Sequence, residues 1–371
     1  MTSPRNTSTL LVIRAALLIL LAGCGIVTNT NAPKPVAPGA LSTGVPVAPG
    51  GLQLGYIWHS DSRTLYPILG VSGATHYGTR TLPADPTVVA AAGVSSGSSW
   101  GLVLHKNGTL QEWSLPASND GTLAARVPPD SSILFSPSGT SAALISASTS
   151  TAVVITGLPS KSQVANVALP AGFVAGEFTV SDSGNVLAAT KLQGAQGIQV
   201  GIVSETHGYS PVMTIQAWGG AGFVPGPQGD TAIIADGATG RLSYATNLNG
   251  ASPAIAQLNA TGLLEKPVAV SVSQDGKWAY AVDSAKPQIA RVSIGALAAS
   301  TFIACACKPQ QLVPLTADGV YLLSDHVPGQ PAWILDTRTS QPRTFFLPAL
   351  PAQVAGANSE SAMKPPAGAG Q

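Results

Sequence analysis

The chain has 371 residues, of which 45% are hydrophobic and only 9% charged, with 18 Lys and Arg against 17 Asp and Glu. A charge fraction so far below the globular average of about 25%, with a formal net charge of +1 and no basic run, excludes an electrostatic case for nucleic acid. The 40 glycines and 30 prolines fit a turn-rich all-β chain with flexible ends.

In chain order, the first element reads as an export signal. Arg5 and Arg14 precede the apolar run Ala15–Leu21. The run is too short for a spanning helix, which needs about 20 apolar residues. It ends in Leu21-Ala22-Gly23-Cys24, an aliphatic residue, two small residues and a cysteine, and this closely resembles the lipobox of bacterial lipoproteins. The resemblance implies lipid transfer to the Cys24 sulfur, cleavage before Cys24 and acylation of the new amino group, so that residues 1–23 are a signal peptide. Several acyl chains anchor stably where one is marginal, at ~0.8 kcal/mol per buried CH₂. The bland alternative is an ordinary secretory signal that happens to contain a cysteine. Gly25 follows Cys24, without the aspartate of the usual inner-membrane retention signal. The expected location is therefore the cell envelope, at the outer membrane more than the inner, facing periplasm or exterior. Residues 24–50 hold the lipidated cysteine and a linker with Pro33, Pro35, Pro38, Pro46 and Pro49. This reads as a disordered tether with an extended reach on the order of 80 Å. Residues 351–371 read as a disordered tail.

Between these ends, over residues 51–350, one pattern recurs. An apolar strand runs into a small polar turn closed by glycine, and a second apolar strand follows. The closing glycines are Gly97, Gly139, Gly184, Gly229, Gly276 and Gly319, spaced 42, 45, 45, 47 and 43 residues apart. Glycine accepts the positive φ that closes such hairpins. A strand-built period of 40–45 residues is the mark of propeller blades. Third and fourth strands follow, as in Thr151–Ile155 and Arg343–Leu347. The segment Val270–Asp283, VSVSQDGKWAYAVD, resembles blades of YVTN- and WD40-type propellers, although the GH and WD dipeptides of true WD40 repeats are missing. The order of elements resembles bacterial lipoprotein propellers with no assigned activity. Such a resemblance specifies fold far better than function. A hairpin over Leu54–Trp58 and Thr64–Leu69 precedes the six glycine turns and reads as the outer part of a further blade, with 70–85 contributing irregularly. The expected fold is a single seven-bladed β-propeller, with six blades as the alternative; a β-sandwich or solenoid fits the period less well.

Candidate sites are few. Asp236, Asp283 and Asp325 each end a second strand on the face opposite the glycine turns. They are weak candidates for a cation or amine site, set against aspartates that cap their own turns. Cys305 and Cys307, the only cysteines besides Cys24, suggest a local disulfide in an oxidising compartment. Regular strand geometry puts their Cα atoms about 6.6–6.8 Å apart, at the edge of disulfide reach. Free thiols rank second and a metal site third. His59, His76, His105, His207 and His326 sit in no catalytic motif and read as turn and surface residues. Gly219-Gly220-Ala221-Gly222 lacks the Lys-Ser/Thr of a phosphate loop, and the scattered tryptophans read as core. No catalytic residue and no cofactor is expected. The leading expectation is a membrane-anchored, non-enzymatic propeller that binds a protein, peptide or glycan partner. The alternatives are a hydrolase or lyase with a metal in the central channel, and an envelope-assembly scaffold.

Overall fold

The computed structural model describes residues 53–350 apart from 72, 82–84, 97, 116–117, 192–193, 195, 259–263, 297–299, 317–318 and 325–329. Cys24, the signal peptide, the tether, Asp325, His326 and the tail lie outside the described residues.

The glycine turns follow from local chemistry. Gly139, Gly184 and Gly276 have φ of 74°, 83° and 68°, and their amides donate to Ser136 O, Ser181 O and Ser273 O, three residues back, at 2.9, 3.0 and 2.9 Å. The serine that opens each turn also has its hydroxyl engaged. Ser136 Oγ accepts from Ser141 N at 3.1 Å, Ser181 Oγ from Asn185 N at 2.9 Å, and Ser273 Oγ from Trp278 N at 2.9 Å. The side chain thus caps the start of the second strand while the glycine reverses the chain.

Each such hairpin extends into a four-stranded antiparallel sheet. The second blade is β4 (Val88–Ser96), β5 (Ser98–His105), β6 (Thr109–Ser114) and β7 (Ser118–Arg126). The third is β8 (Ser132–Phe135), β9 (Ser141–Ile145), β10 (Thr151–Thr156) and β11 (Gln163–Ala168). The fourth is β12 (Phe173–Val180), β13 (Val186–Lys191), β14 (Ile198–Ser204) and β15 (Gly208–Ile215). The fifth is β16 (Trp218–Phe223), β17 (Ala232–Asp236), β18 (Arg241–Thr246) and β19 (Ala254–Gln257). The sixth is β20 (Pro267–Val272), β21 (Trp278–Asp283), β22 (Gln288–Ser293) and β23 (Ser300–Ala304). The seventh is β24 (Val313–Thr316), β25 (Val320–Leu322), β26 (Ala332–Asp336) and β27 (Arg343–Leu347). Strands are ordered in space as in sequence, and from the second blade to the sixth the first strand of each blade packs beside that of the next, as β24 does beside β4. With the three-stranded sheet of β1 (Gln53–His59), β2 (Thr64–Val71) and β3 (Ala74–Tyr77), the count is seven antiparallel blades in a ring. This is a seven-bladed β-propeller.

The first blade differs from the rest. Gly55 on β1 lies against Leu315, near the glycine-turn end of β24, and Tyr56 lies against Gly93. The turn after β1 sits at the other end, where Arg63 Nη1 donates to Pro86 O just before β4. So β1 runs opposite to the innermost strands beside it. On the outer side, Thr75 Oγ1 of β3 reaches Phe346 O of β27 at 3.5 Å, repeating the bond from Thr344 Oγ1 of β27 to Ala304 O of β23 at 2.9 Å. Both observations place β1, β2 and β3 in the second, third and fourth positions of their blade, the outer part that the hairpin suggested. Past them, the innermost strands β24 and β4 meet directly in one parallel pair, Thr316 with Ser95.

Candidate functional site

On the glycine-turn face, Asp182 joins three blades. Its Oδ1 accepts from Ser138 N at 3.0 Å and Ser138 Oγ at 2.6 Å, and its Oδ2 from Gly226 N at 3.2 Å. Ser141 Oγ donates to its backbone oxygen at 2.8 Å. Asn185 extends the tie, donating to Gly229 O at 3.2 Å and Asn249 Oδ1 at 3.1 Å. The turns of the third, fourth and fifth blades thus form one hydrogen-bonded rim. Reading each turn as a unit missed this, because the partners lie 44 residues away.

On the opposite face, Asp236 and Asp283 hold equivalent places. Asp236 accepts amides from Gln216 at 3.3 Å, Ala217 at 3.2 Å and Ala238 at 3.0 Å. Asp283, fully buried, accepts amides from Glu265 at 2.8 Å, Lys266 at 3.1 Å and Ala285 at 2.9 Å. Each carboxylate therefore caps its own turn and also holds the loop that leads into its blade's innermost strand. Burial raises the Asp236 carboxyl, but the bonds from Ala238, Thr239, Gln216 and Ala217 outweigh it and hold it below the ordinary value. Asp325, the third of the candidates, lies outside the described residues. Two other blades make the same latch with the acid moved to the incoming loop. Ser146 Oγ donates to Asp130 Oδ2 at 2.7 Å. Thr87 donates to Asp85 through N and Oγ1, both at 2.7 Å, with His105 Nδ1 2.8 Å from the same hydroxyl. Among the described residues no group of three or more His, Cys, Asp or Glu is placed to hold a metal ion.

The innermost strands of the third to seventh blades enclose a cavity of about 210 Å³. Leu134, Phe135, Phe178, Trp218, Val270 and Leu312 are among its walls, and the polar side chains there are Thr179, Ser271 and Gln311. Glu177 lies between two wall residues, Gly176 and Phe178, in a stretch where the β12–β13 register slips. One of its carboxylate oxygens is buried without a hydrogen bond. Burial raises its pKa, against the nearby charge of Lys191.

Cys305 and Cys307 are both buried and bonded to each other, with their Cα atoms 5.0 Å apart; the irregular backbone after β23 shortens the regular strand spacing. Two histidines depart from the surface reading. His59 is buried and packs edge-on against Tyr66 and Tyr77, at centroid distances of 5.0 and 5.7 Å. His105 is buried too, with Nε2 3.0 Å from Gln111 Oε1. His76 and His207 are exposed. All six tryptophans pack against core clusters.

No family model and no curated protein matches the chain. Among solved structures, a functionally unknown protein from Desulfotomaculum acetoxidans is 11% identical at a TM-score of 0.51, over 80% of this chain and 99% of that one. A virginiamycin B lyase from Staphylococcus aureus is 12% identical at 0.45, over 70% and 84%. The Hsv2 protein of Kluyvelomyces marxianus is 8% identical at 0.43, over 80% and 97%. At 11% identity the likeness to the Desulfotomaculum protein extends to architecture alone.

Proposed function

We propose that the ring is a lipid-anchored, non-enzymatic binding module of the cell envelope whose partner is a protein, a peptide or a glycan. The observation that carries this reading is what the acidic side chains hold. Asp236 and Asp283 each accept three backbone amides, so these carboxylates organise loops. The cavity wall offers hydroxyl and amide groups among apolar side chains, which suits a neutral ligand or a side chain of a partner. The hydrogen-bonded rims make a wide, stiff disc, and such a disc suits contacts. Leu21-Ala22-Gly23-Cys24 supports the anchor.

The tests separate the parts. Purified full-length protein is expected to hold no stoichiometric metal; bound calcium or zinc at one per chain would favour a channel hydrolase or lyase. Crosslinking in intact cells, followed by detergent extraction, is expected to yield one recurrent envelope partner, and a membrane-assembly protein there would favour scaffolding. Cys24→Ser is expected to move the protein to the soluble fraction. If that variant stays with the membrane, the anchor is wrong.

A further inference from the structure

Two buried hydroxyls on the cavity wall have no partner of their own. Thr179 and Ser271 are each 8% exposed and both line the cavity. Neither hydroxyl makes a hydrogen bond among the described residues, and each oxygen is left accessible. We propose that the cavity takes one neutral sugar ring, a single unit of a glycan, and that Thr179, Ser271 and Gln311 are its hydrogen-bonding groups. The proposal rests on the reading of the ring as a binding module and names the ligand class of its cavity.

Position comes first. Thr179 and Ser271 each stand two residues before the serine that opens their blade's glycine turn, Ser181 and Ser273. They therefore hold equivalent places on β12 and β20. The corresponding residue of the third blade, two before Ser136, is Leu134, and it is a wall residue too. The turn serines themselves have their hydroxyls engaged by backbone amides, whereas the two hydroxyls on the wall are uncommitted. The third polar group is Gln311, in the loop before β24. Its Nε2 donates to Ser324 O at 2.7 Å and its backbone N to Leu323 O at 3.3 Å. The amide is thereby fixed, and its Oε1 has no partner among the described residues.

The rest of the wall sets the character of the ligand. Among the described residues no Asp, Glu, Lys, Arg or His lines the cavity; Glu177 adjoins wall residues in sequence without being one. A charged ligand would lose its hydration there and meet no opposite charge. Phe135, Phe178 and Trp218 supply aromatic surface. A wholly apolar occupant would leave Thr179, Ser271 and Gln311 unpaired, at a cost for each group. A pyranose answers both parts of this wall. Its C–H face packs on aromatic surface, and its rim hydroxyls both donate and accept, as the two wall hydroxyls do. The size fits as well. A volume of about 210 Å³ lies below the roughly 300–1,000 Å³ of sites for drug-sized ligands, so there is room for one ring and not for a chain of them.

The test titrates purified full-length protein with glucose, galactose, mannose and N-acetylglucosamine, and with glucuronate and glucosamine as charged counterparts. Binding is followed by tryptophan fluorescence and by saturation-transfer NMR. At least one neutral sugar is expected to bind with a Kd of about 1 mM or below, and the charged sugars at least about tenfold more weakly. Ser271→Ala and Thr179→Val each remove a hydroxyl with little change of volume, and each is expected to weaken binding about fivefold or more. Thermal melting checks that the variants fold; where one does not, the sugar panel decides alone. Failure of all four neutral sugars to bind overturns the proposal, as do equal binding of the charged sugars and unchanged affinity in either folded variant. Crosslinking in the envelope reads out separately: a recurrent partner without sugar binding strikes the sugar and leaves the binding module, and the absence of both strikes both.

Discussion

Glu177 and Asp236 lie in adjacent blades and respond to pH in opposite senses. Amide bonds hold the Asp236 carboxyl below its ordinary value of 3.8 against the cost of burial. Its contribution to stability is therefore present above about pH 4 and is lost as pH falls through the lowered folded value. Burial raises the Glu177 carboxyl above 4.5, with Lys191 opposing. Its contribution is full below 4.5 and is lost as pH rises through the raised folded value, so at neutral pH the charged form weakens the fold. Glu177→Gln is accordingly expected to raise the urea midpoint at pH 7 and to leave it unchanged near pH 3, where both states carry the proton. A lower midpoint at pH 7 would show that the carboxylate is needed against Lys191. At this scale the sequence marks positions and not partners. Asp236 and Asp283 were visible as acids ending second strands, and their equivalence followed from the period. Asp182 belongs to the same turns, but its role depends on Ser138 and Gly226 in neighbouring blades, and one blade read alone holds no sign of that.

The strands that were hardest to read are those that govern how closely blades approach. Second strands such as β13 and β21 are continuous apolar runs, buried on both faces, and stand out at once. Innermost strands are less regular: β4, β12, β16, β20 and β24 each slip register against their second strand, and β16 is half glycine. Gly219-Gly220-Ala221-Gly222 reads in sequence only as something other than a phosphate loop, and in the fold it is most of β16. Its glycines let β16 nest against β20. A Cβ on Gly220 would stand 2.7 Å from Ala269 Cα and Val270 N, and the residue has φ of +98°. Backbone cannot yield as a flexible side chain does, and a β-carbon is disfavoured at that φ. Gly220→Ala is therefore expected to cost about 1–3 kcal/mol of unfolding free energy in urea titration. Gly222→Ala, with its nearest backbone atom at 3.2 Å and no positive φ, is expected to cost less. Equal losses at the two positions would mean that the approach of β16 to β20 is not what these glycines serve. The first blade was half legible for a related reason: its hairpin has the pattern of strands, but its place depends on β4 and β24, far off in the chain.

Across the whole ring, the core is divided among the joints between blades. Seven buried clusters occupy the described residues, and each is shared by two adjacent blades. The first blade takes part in two of them. Leu54, Ile57 and Ile68 join Leu315, Ile334 and Phe345 of the seventh blade, while Tyr56 and Leu65 join Val88 and Val103 of the second. A three-stranded sheet appended to a finished six-bladed ring would share a cluster with one neighbour. This one has a neighbour on each side, so its removal would expose two faces at once, and its unfolding is expected to coincide with that of the rest. Leu54 and Leu187 are both fully buried, the first in the joint between seventh and first blades and the second between fourth and fifth. Truncation of a buried leucine costs about 2–5 kcal/mol, through lost transfer energy and the cavity left behind. Leu54→Ala and Leu187→Ala are thus expected to lower the single urea transition by comparable amounts, followed both by tryptophan fluorescence and by far-ultraviolet circular dichroism. If Leu54→Ala instead splits off a small early transition and leaves the main one in place, the first blade is an appendage, and closure of the ring falls to the one pair between Thr316 and Ser95.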